Sequence, residues 1–161
     1  MFGDVNRFLG EDLPVQLFRL VLTLATHLRT RMDQRLAAVG LTTSQAGVLT
    51  FVGASEHPPT LSDTARALGT SHQNARQVVA ALERKGLVTV LPDPADGRVR
   101  RLAVTGRVAE VFEDRDLEDR EEVTRWLSTL SEDEQRQAVV LLGRVLRRLA
   151  DEREVSPPAR P

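Results

Sequence analysis

The stretch from Ser71 to Arg84 reads SHQNARQVVAALER, and its polar side chains are hydrogen-bonding groups with no carboxylate before Glu83. At 100° per residue, Ala75, Val78, Val79 and Leu82 share one face of a helix. Gln73, Gln77, Ala80 and Arg84 fall opposite, with Asn74 and Arg76 on the flanks and Ser71 and His72 at the start. Glutamine and asparagine can pair bidentately with adenine in the major groove, arginine with guanine, and alanine can meet a thymine methyl. Any surface helix turns polar residues outward, so the face alone also fits an ordinary solvated helix. A second set, Asp96, Arg98 and Arg100, lies in and beside a turn-rich segment a little further on. A long cation at a hairpin tip can enter a narrow minor groove, where the negative potential is high. The chemistry these residues suggest is recognition of double-stranded DNA.

Other chemistries find little support. With no cysteine, disulfides, thiolate metal sites and thiol nucleophiles are excluded. His27, His57 and His72 are far apart in sequence and show no metal-ligand spacing. Gly53-Ala54-Ser55-Glu56-His57 resembles a nucleophile elbow until its last residue, which should be glycine. No phosphate-binding loop, dinucleotide fingerprint or zinc-protease motif is present, so no catalytic residue, cofactor or metal is expected. His27 reads either as a packed or interfacial histidine or as an effector contact. The start, MFGDVNRFLGED, lacks a basic segment leading into an apolar run, and the apolar stretches are short. The expectation is a soluble cytoplasmic protein without a membrane partner.

The elements that must hold the candidate residues are mostly helices. Residues 61–82, LSDTARALGTSHQNARQVVAAL, have the form of a helix-turn-helix, with Gly69 where the turn wants a positive φ. Helix starts are marked by Thr42–Gln45, Thr60–Asp63, Thr70 or Ser71, and Ser131–Glu134, where a side-chain oxygen can satisfy a first-turn backbone donor. Residues 87–91 and 99–104 read as two strands around PDPADGR, a hairpin loop in which Gly97 permits a positive φ. They are expected to be the only sheet of any size, and residues 53–59 a loop. Asp96 could hold the loop by pairing with an arginine. Upstream, residues 13–39 carry an apolar stripe wide enough for two neighbours, with Asp12 or Leu13 as cap and Pro14 in the first turn. Downstream, helices are expected over 105–130 and 132–152, with an acidic block at 113–122 read as a solvated stretch. The stripes in 13–39 and 132–149 hold more leucine and valine than one small domain can cover, which predicts a homodimer.

The net charge of −1 conceals a split. Residues 70–107 hold seven basic against three acidic residues, whereas 108–125 hold three against eight. A local basic surface is what a polyanion partner needs, whatever the whole-chain balance.

Residues 61–108, LSDTARALGTSHQNARQVVAALERKGLVTVLPDPADGRVRRLAVTGRV, resemble the MarR (multiple antibiotic resistance regulator) family. The likeness lies in the helix-turn-helix, the ERKGLV exit, the DPxDxR wing and the Thr-Gly helix start. It implies a mainly α fold with a small β-hairpin wing, a winged helix-turn-helix flanked by N- and C-terminal dimerisation helices. Residues 1–161 are then one MarR-like domain. Within it lie a DNA-binding lobe over 41–105, dimerisation helices at 12–39 and 106–152, and a disordered tail over 153–161. The resemblance further implies a transcriptional repressor that binds a pseudo-palindromic operator as a homodimer, released by a small aromatic or phenolic effector. DNA contacts fall on Ser71, His72, Gln73, Asn74, Arg76, Gln77, Arg84, Asp96, Arg98 and Arg100. Where many members carry arginine between the wing Asp and Arg, this chain has Gly97. Arg100 or Arg101 could substitute, but strand alternation lets only one share Arg98's face. The rival reading is a winged helix kept for protein contacts without specific DNA binding. An acidic recognition face would favour it, and this face is not acidic.

Overall fold

A computed structural model describes residues 10–112 and 116–155. It divides the chain into two compact units, one ending at Gly47 and the other beginning at Val48.

The first unit is built on helix α1, Leu13–Leu36, followed by a 3₁₀ turn, Ala37–Val39. Asp12 caps α1 by accepting from the Val15 N–H at 3.1 Å, and Pro14 sits in the first turn, where its missing N–H costs nothing. Regular helix therefore stops three residues short of the expected 39, with the remainder tightened into 3₁₀ geometry. Helix α2, Thr43–Ala54, starts in this unit. Its entry is tied to α1: Asp33 Oδ1 accepts from the Thr43 backbone N–H at 2.6 Å and from its hydroxyl at 2.7 Å. Those bonds, the backbone one foremost, hold the Asp33 carboxyl below its ordinary range. Only Leu36 of α1 is buried, and Phe18, for instance, stays 62% exposed.

In the second unit, α3 (Leu61–Ala67) and α4 (His72–Arg84) make the helix-turn-helix. Thr60 and Asp63 form the expected capping box, the Asp63 N–H donating to Thr60 Oγ1 at 3.1 Å and the Thr60 N–H to Asp63 Oδ2 at 3.0 Å. The same partner, through its hydroxyl first, lowers the Asp63 pKa. Gly69 takes φ +62°, a conformation that a side chain would strain, and so reverses the chain between the helices. Helix α4 packs on α3 and on strand β1 (Val88–Pro92), while α3 also meets β2 (Arg100–Val104). Val48, Leu49, Val52, Ala65, Ala75, Val79, Leu82, Leu87, Val88 and Leu102 are the buried apolar residues of this unit.

The strands pair antiparallel with Val88 opposite Val104 and Pro92 opposite Arg100, each beginning one residue later than expected. They are not isolated from the loop before α3. Thr60 forms a β-bridge to Arg101, and the Leu102 N–H donates to the Pro59 carbonyl at 2.8 Å. The end of the expected 53–59 loop thus adds an edge to the hairpin.

Beyond the hairpin come α5 (Arg107–Phe112), α6 (Asp116–Leu127) and α7 (Glu132–Val155). Residues 113–115, in the middle of the expected 105–130 helix and at the head of the acidic block, lie outside the described residues. Ser131 and Glu134 box the start of α7, the Ser131 N–H donating to Glu134 Oε2 at 2.7 Å. Helix α7 reaches Val155, so residues 153–155 of the expected tail are helical, and 156–161 lie outside the described residues. Apolar side chains of α7 stand in the open, Val139 at 73% exposure. No single helix among the described residues is long and apolar enough to cross a membrane.

Candidate nucleic-acid interface

Helix α4 carries the expected division of faces. Ala75, Val79 and Leu82 are buried against the core, and Val78 is half-buried. Gln73, Asn74, Arg76, Gln77 and Arg84 are all exposed. Ala80, expected opposite the buried face, is half-buried. Ser71 is the N-cap, its Oγ accepting from the Asn74 N–H at 3.1 Å. The Asn74 side-chain amide donates to Thr70 Oγ1 at 2.7 Å, which fixes its orientation on the first turn. His72 is exposed beside it. The outward face offers amide donors and acceptors and two guanidinium groups, the set that can read base edges.

Sequence reasoning missed what holds the far end of this helix. The Thr105 hydroxyl donates to the Gly86 carbonyl at 2.7 Å, its N–H to the Leu87 carbonyl at 3.0 Å, and Arg107 Nη1 to the Lys85 carbonyl at 3.2 Å. The carbonyls that follow a helix end are therefore capped from the chain leaving β2. Both residues lie in the Thr-Gly helix start, which marks a cap but not its distant partners.

The wing is a loop held by two carboxylates. Asp93 Oδ1 accepts from the N–H groups of Ala95 at 2.7 Å and Asp96 at 3.0 Å, and Oδ2 takes the Arg101 Nε–H. These bonds, that of Arg101 first, keep the Asp93 carboxyl ionised below its usual range. Asp96 Oδ1 accepts from the Arg98 backbone N–H at 3.0 Å, so it shapes the loop through the main chain and not by pairing with an arginine side chain. Gly97 does not adopt a positive φ. The described glycines that do are Gly10, Gly40, Gly69 and Gly86. The Asp93 and Asp96 carboxylates bend the wing instead, each bonding a backbone donor two residues on. Arg98 and Arg100 are exposed, whereas the Arg101 side chain is half-buried and bonded to Asp93 and Pro58, so Arg100 is the more open of the two strand arginines.

The sequence profile of the MarR family matches residues 39–99, the span that contains the helix-turn-helix and most of the wing. BadR of Rhodopseudomonas palustris, a transcriptional activatory protein, is 34% identical over 107 residues, covering 63% of this chain and 59% of its own length. The chain thus matches under two thirds of that relative. The MepR–DNA complex of S. aureus superposes with a TM-score of 0.69 at 25% identity, over 83% of this chain and 94% of MepR. Residues 39–99 thus resemble the MarR family, and the fold is the one MepR has. The regulator SlyA, with a TM-score of 0.75 over 86% of this chain and 97% of its own, shares the fold at 21% identity. The fold is shared with these regulators. The matched span includes all of α4 and the wing loop as far as Val99. Among the described residues no group of three or more histidine, aspartate or glutamate side chains is placed to hold a metal ion.

Gly97 stands between Asp96 and Arg98 of the wing. A Cβ built there meets nothing within 4 Å, and its backbone lies outside the left-handed region. Gly97→Arg should therefore fold normally and tighten binding to duplexes of any sequence. The dependence of log affinity on log salt should steepen by about 0.9 if the new cation neutralises one phosphate. Filter binding across a salt series reads both quantities.

Proposed function

We propose that the chain is a sequence-specific DNA-binding repressor that holds a pseudo-palindromic operator as a homodimer and is released by a small aromatic or phenolic effector. The observation that carries this reading is the outward face of α4, amide and guanidinium groups without a carboxylate before Glu83, beside the exposed Arg98 and Arg100 of the wing. Ser71, His72, Gln73, Asn74, Arg76, Gln77 and Arg84 face the major groove in this reading. Asp96 shapes the wing, and Arg98 and Arg100 supply its cations. MepR, at 25% identity, has been crystallised with DNA, which supports the assignment. His27, exposed on α1, is the candidate effector contact. Repression follows the family resemblance.

Dimerisation is supported by the bare apolar side chains of α1 and α7, each a 24-residue helix. Leaving such stripes in water is unfavourable by roughly 25 cal/mol for each Å² of apolar surface, so a second copy is the natural cover. Sedimentation velocity at micromolar concentration should give twice the 17.9 kDa chain mass. A monomer would contradict the proposal.

Arg98 has a separable role. Exposed at the wing, it should add affinity without major-groove specificity. Arg98→Ala should weaken binding to many duplexes alike, apart from a preference for narrow A·T-rich flanks. The salt slope should become shallower by about one unit. Unchanged affinity and slope, with the fold intact by circular dichroism, would make Arg98 an ordinary solvated side chain.

A further inference from the structure

Arg101 joins three parts of the winged lobe that are remote in sequence. Its Nε–H donates to Asp93 at the start of the wing loop. Its Nη1 donates to the Pro58 carbonyl at 2.8 Å, and its backbone bridges Thr60, the N-cap of α3. Asp93 in turn holds the N–H groups of Ala95 and Asp96, and its side chain is only 9% exposed. The Asp93 N–H closes the other side of the loop by donating to the Val99 carbonyl at 2.9 Å. One nearly buried carboxylate therefore sets the loop that carries Arg98, and one guanidinium fixes that loop to the segment entering the helix-turn-helix.

We propose that Asp93 and Arg101 form a latch that orients the wing relative to α3, and that both act in DNA binding as positioning residues rather than as contacts. The proposal rests on the DNA-binding reading above. A guanidinium that faces a carboxylate on one edge and a carbonyl on the other has committed donors a phosphate would otherwise take. Arg98, exposed and held through its backbone by Asp96, is the cation the latch presents. A wing free to swing would have to be ordered on each encounter, which weakens binding without removing any DNA contact.

The sign of one substitution separates latch from simple charge. Asp93→Asn deletes a negative charge near a polyanion, so long-range electrostatics alone predicts equal or tighter binding. The latch predicts the opposite, a three- to tenfold loss of affinity for a duplex selected by the wild-type protein. Arg101→Lys keeps the charge but cannot serve two partners from a planar fork, and it should lose affinity to a similar degree. Base discrimination along α4 should be unchanged in both variants. Hydrogen exchange of the Ala95 and Asp96 amides should accelerate in the free proteins, and circular dichroism checks the fold. Wild-type or tighter binding by Asp93→Asn, or wild-type binding by Arg101→Lys, would overturn the latch. Failure of the wild-type protein to prefer its selected duplex over a scrambled one would overturn the DNA-binding reading and the latch with it. The exchange measurement still tells whether Asp93 orders the loop.

Discussion

Leu82→Ala should destabilise the protein by about 2–5 kcal/mol, the range for emptying a leucine-sized space in a packed core. Leu82 has no exposed surface, and its helix packs on both α3 and β1. Collapse around the missing atoms would have to move α4 itself. A domain of this size is stable by only about 5–15 kcal/mol, so the loss is a large share of the total. Urea unfolding at one fixed protein concentration should show a lower midpoint with an unchanged slope. Leu91→Ala, at a residue 44% exposed on β1, is the control and should change little. A loss below about 0.5 kcal/mol for Leu82→Ala, the range of neutral surface changes, would mean that α4 is not seated as described.

The second large effect concerns specificity. Gln73 and Gln77 stand four residues apart on the exposed face of α4, close enough to meet neighbouring base pairs in one groove. If each makes a bidentate contact with adenine, alanine at either position should remove discrimination at one base pair, worth roughly 1–3 kcal/mol. Binding to scrambled DNA should hardly change, because no cation is lost. Competition among duplexes varied one base pair at a time reads this directly. A uniform loss across all duplexes, or no loss, would assign these residues no part in reading sequence.

Much of this architecture is legible in sequence because it is local. The capping boxes at Thr60–Asp63 and Ser131–Glu134 span three residues, and their side chains meet wherever the helix forms. The faces of α4, Ala80 apart, follow from helical periodicity, and the tight turn between two helices calls for the positive φ at Gly69. The wing was harder because its contacts depend on register. Asp93 and Arg101 are eight residues apart, and they approach only once Leu91 is known to face Arg101 across the hairpin. A one-residue slip would have exchanged Arg100 and Arg101 between solvent and protein. That register makes Arg100 the more exposed member and gives the arginine pairing to Asp93 rather than Asp96. Gly97 misled for a related reason. An Asp-Gly pair suggests a left-handed turn, but here carboxylate-to-backbone bonds make the bend. The clamp of Thr105 and Arg107 on residues 85–87 joins segments about twenty residues apart, and no local pattern announces it.

The central claim is that the face of α4 reads base sequence. Its most direct test is the affinity of the full chain for a duplex selected from random DNA, against a scrambled duplex of equal composition, at physiological salt. Specific recognition predicts a ratio of about 10³ or more, the range of sequence-specific DNA-binding proteins. A ratio near one, with both affinities falling steeply as salt rises, would leave a basic surface that holds DNA without reading it.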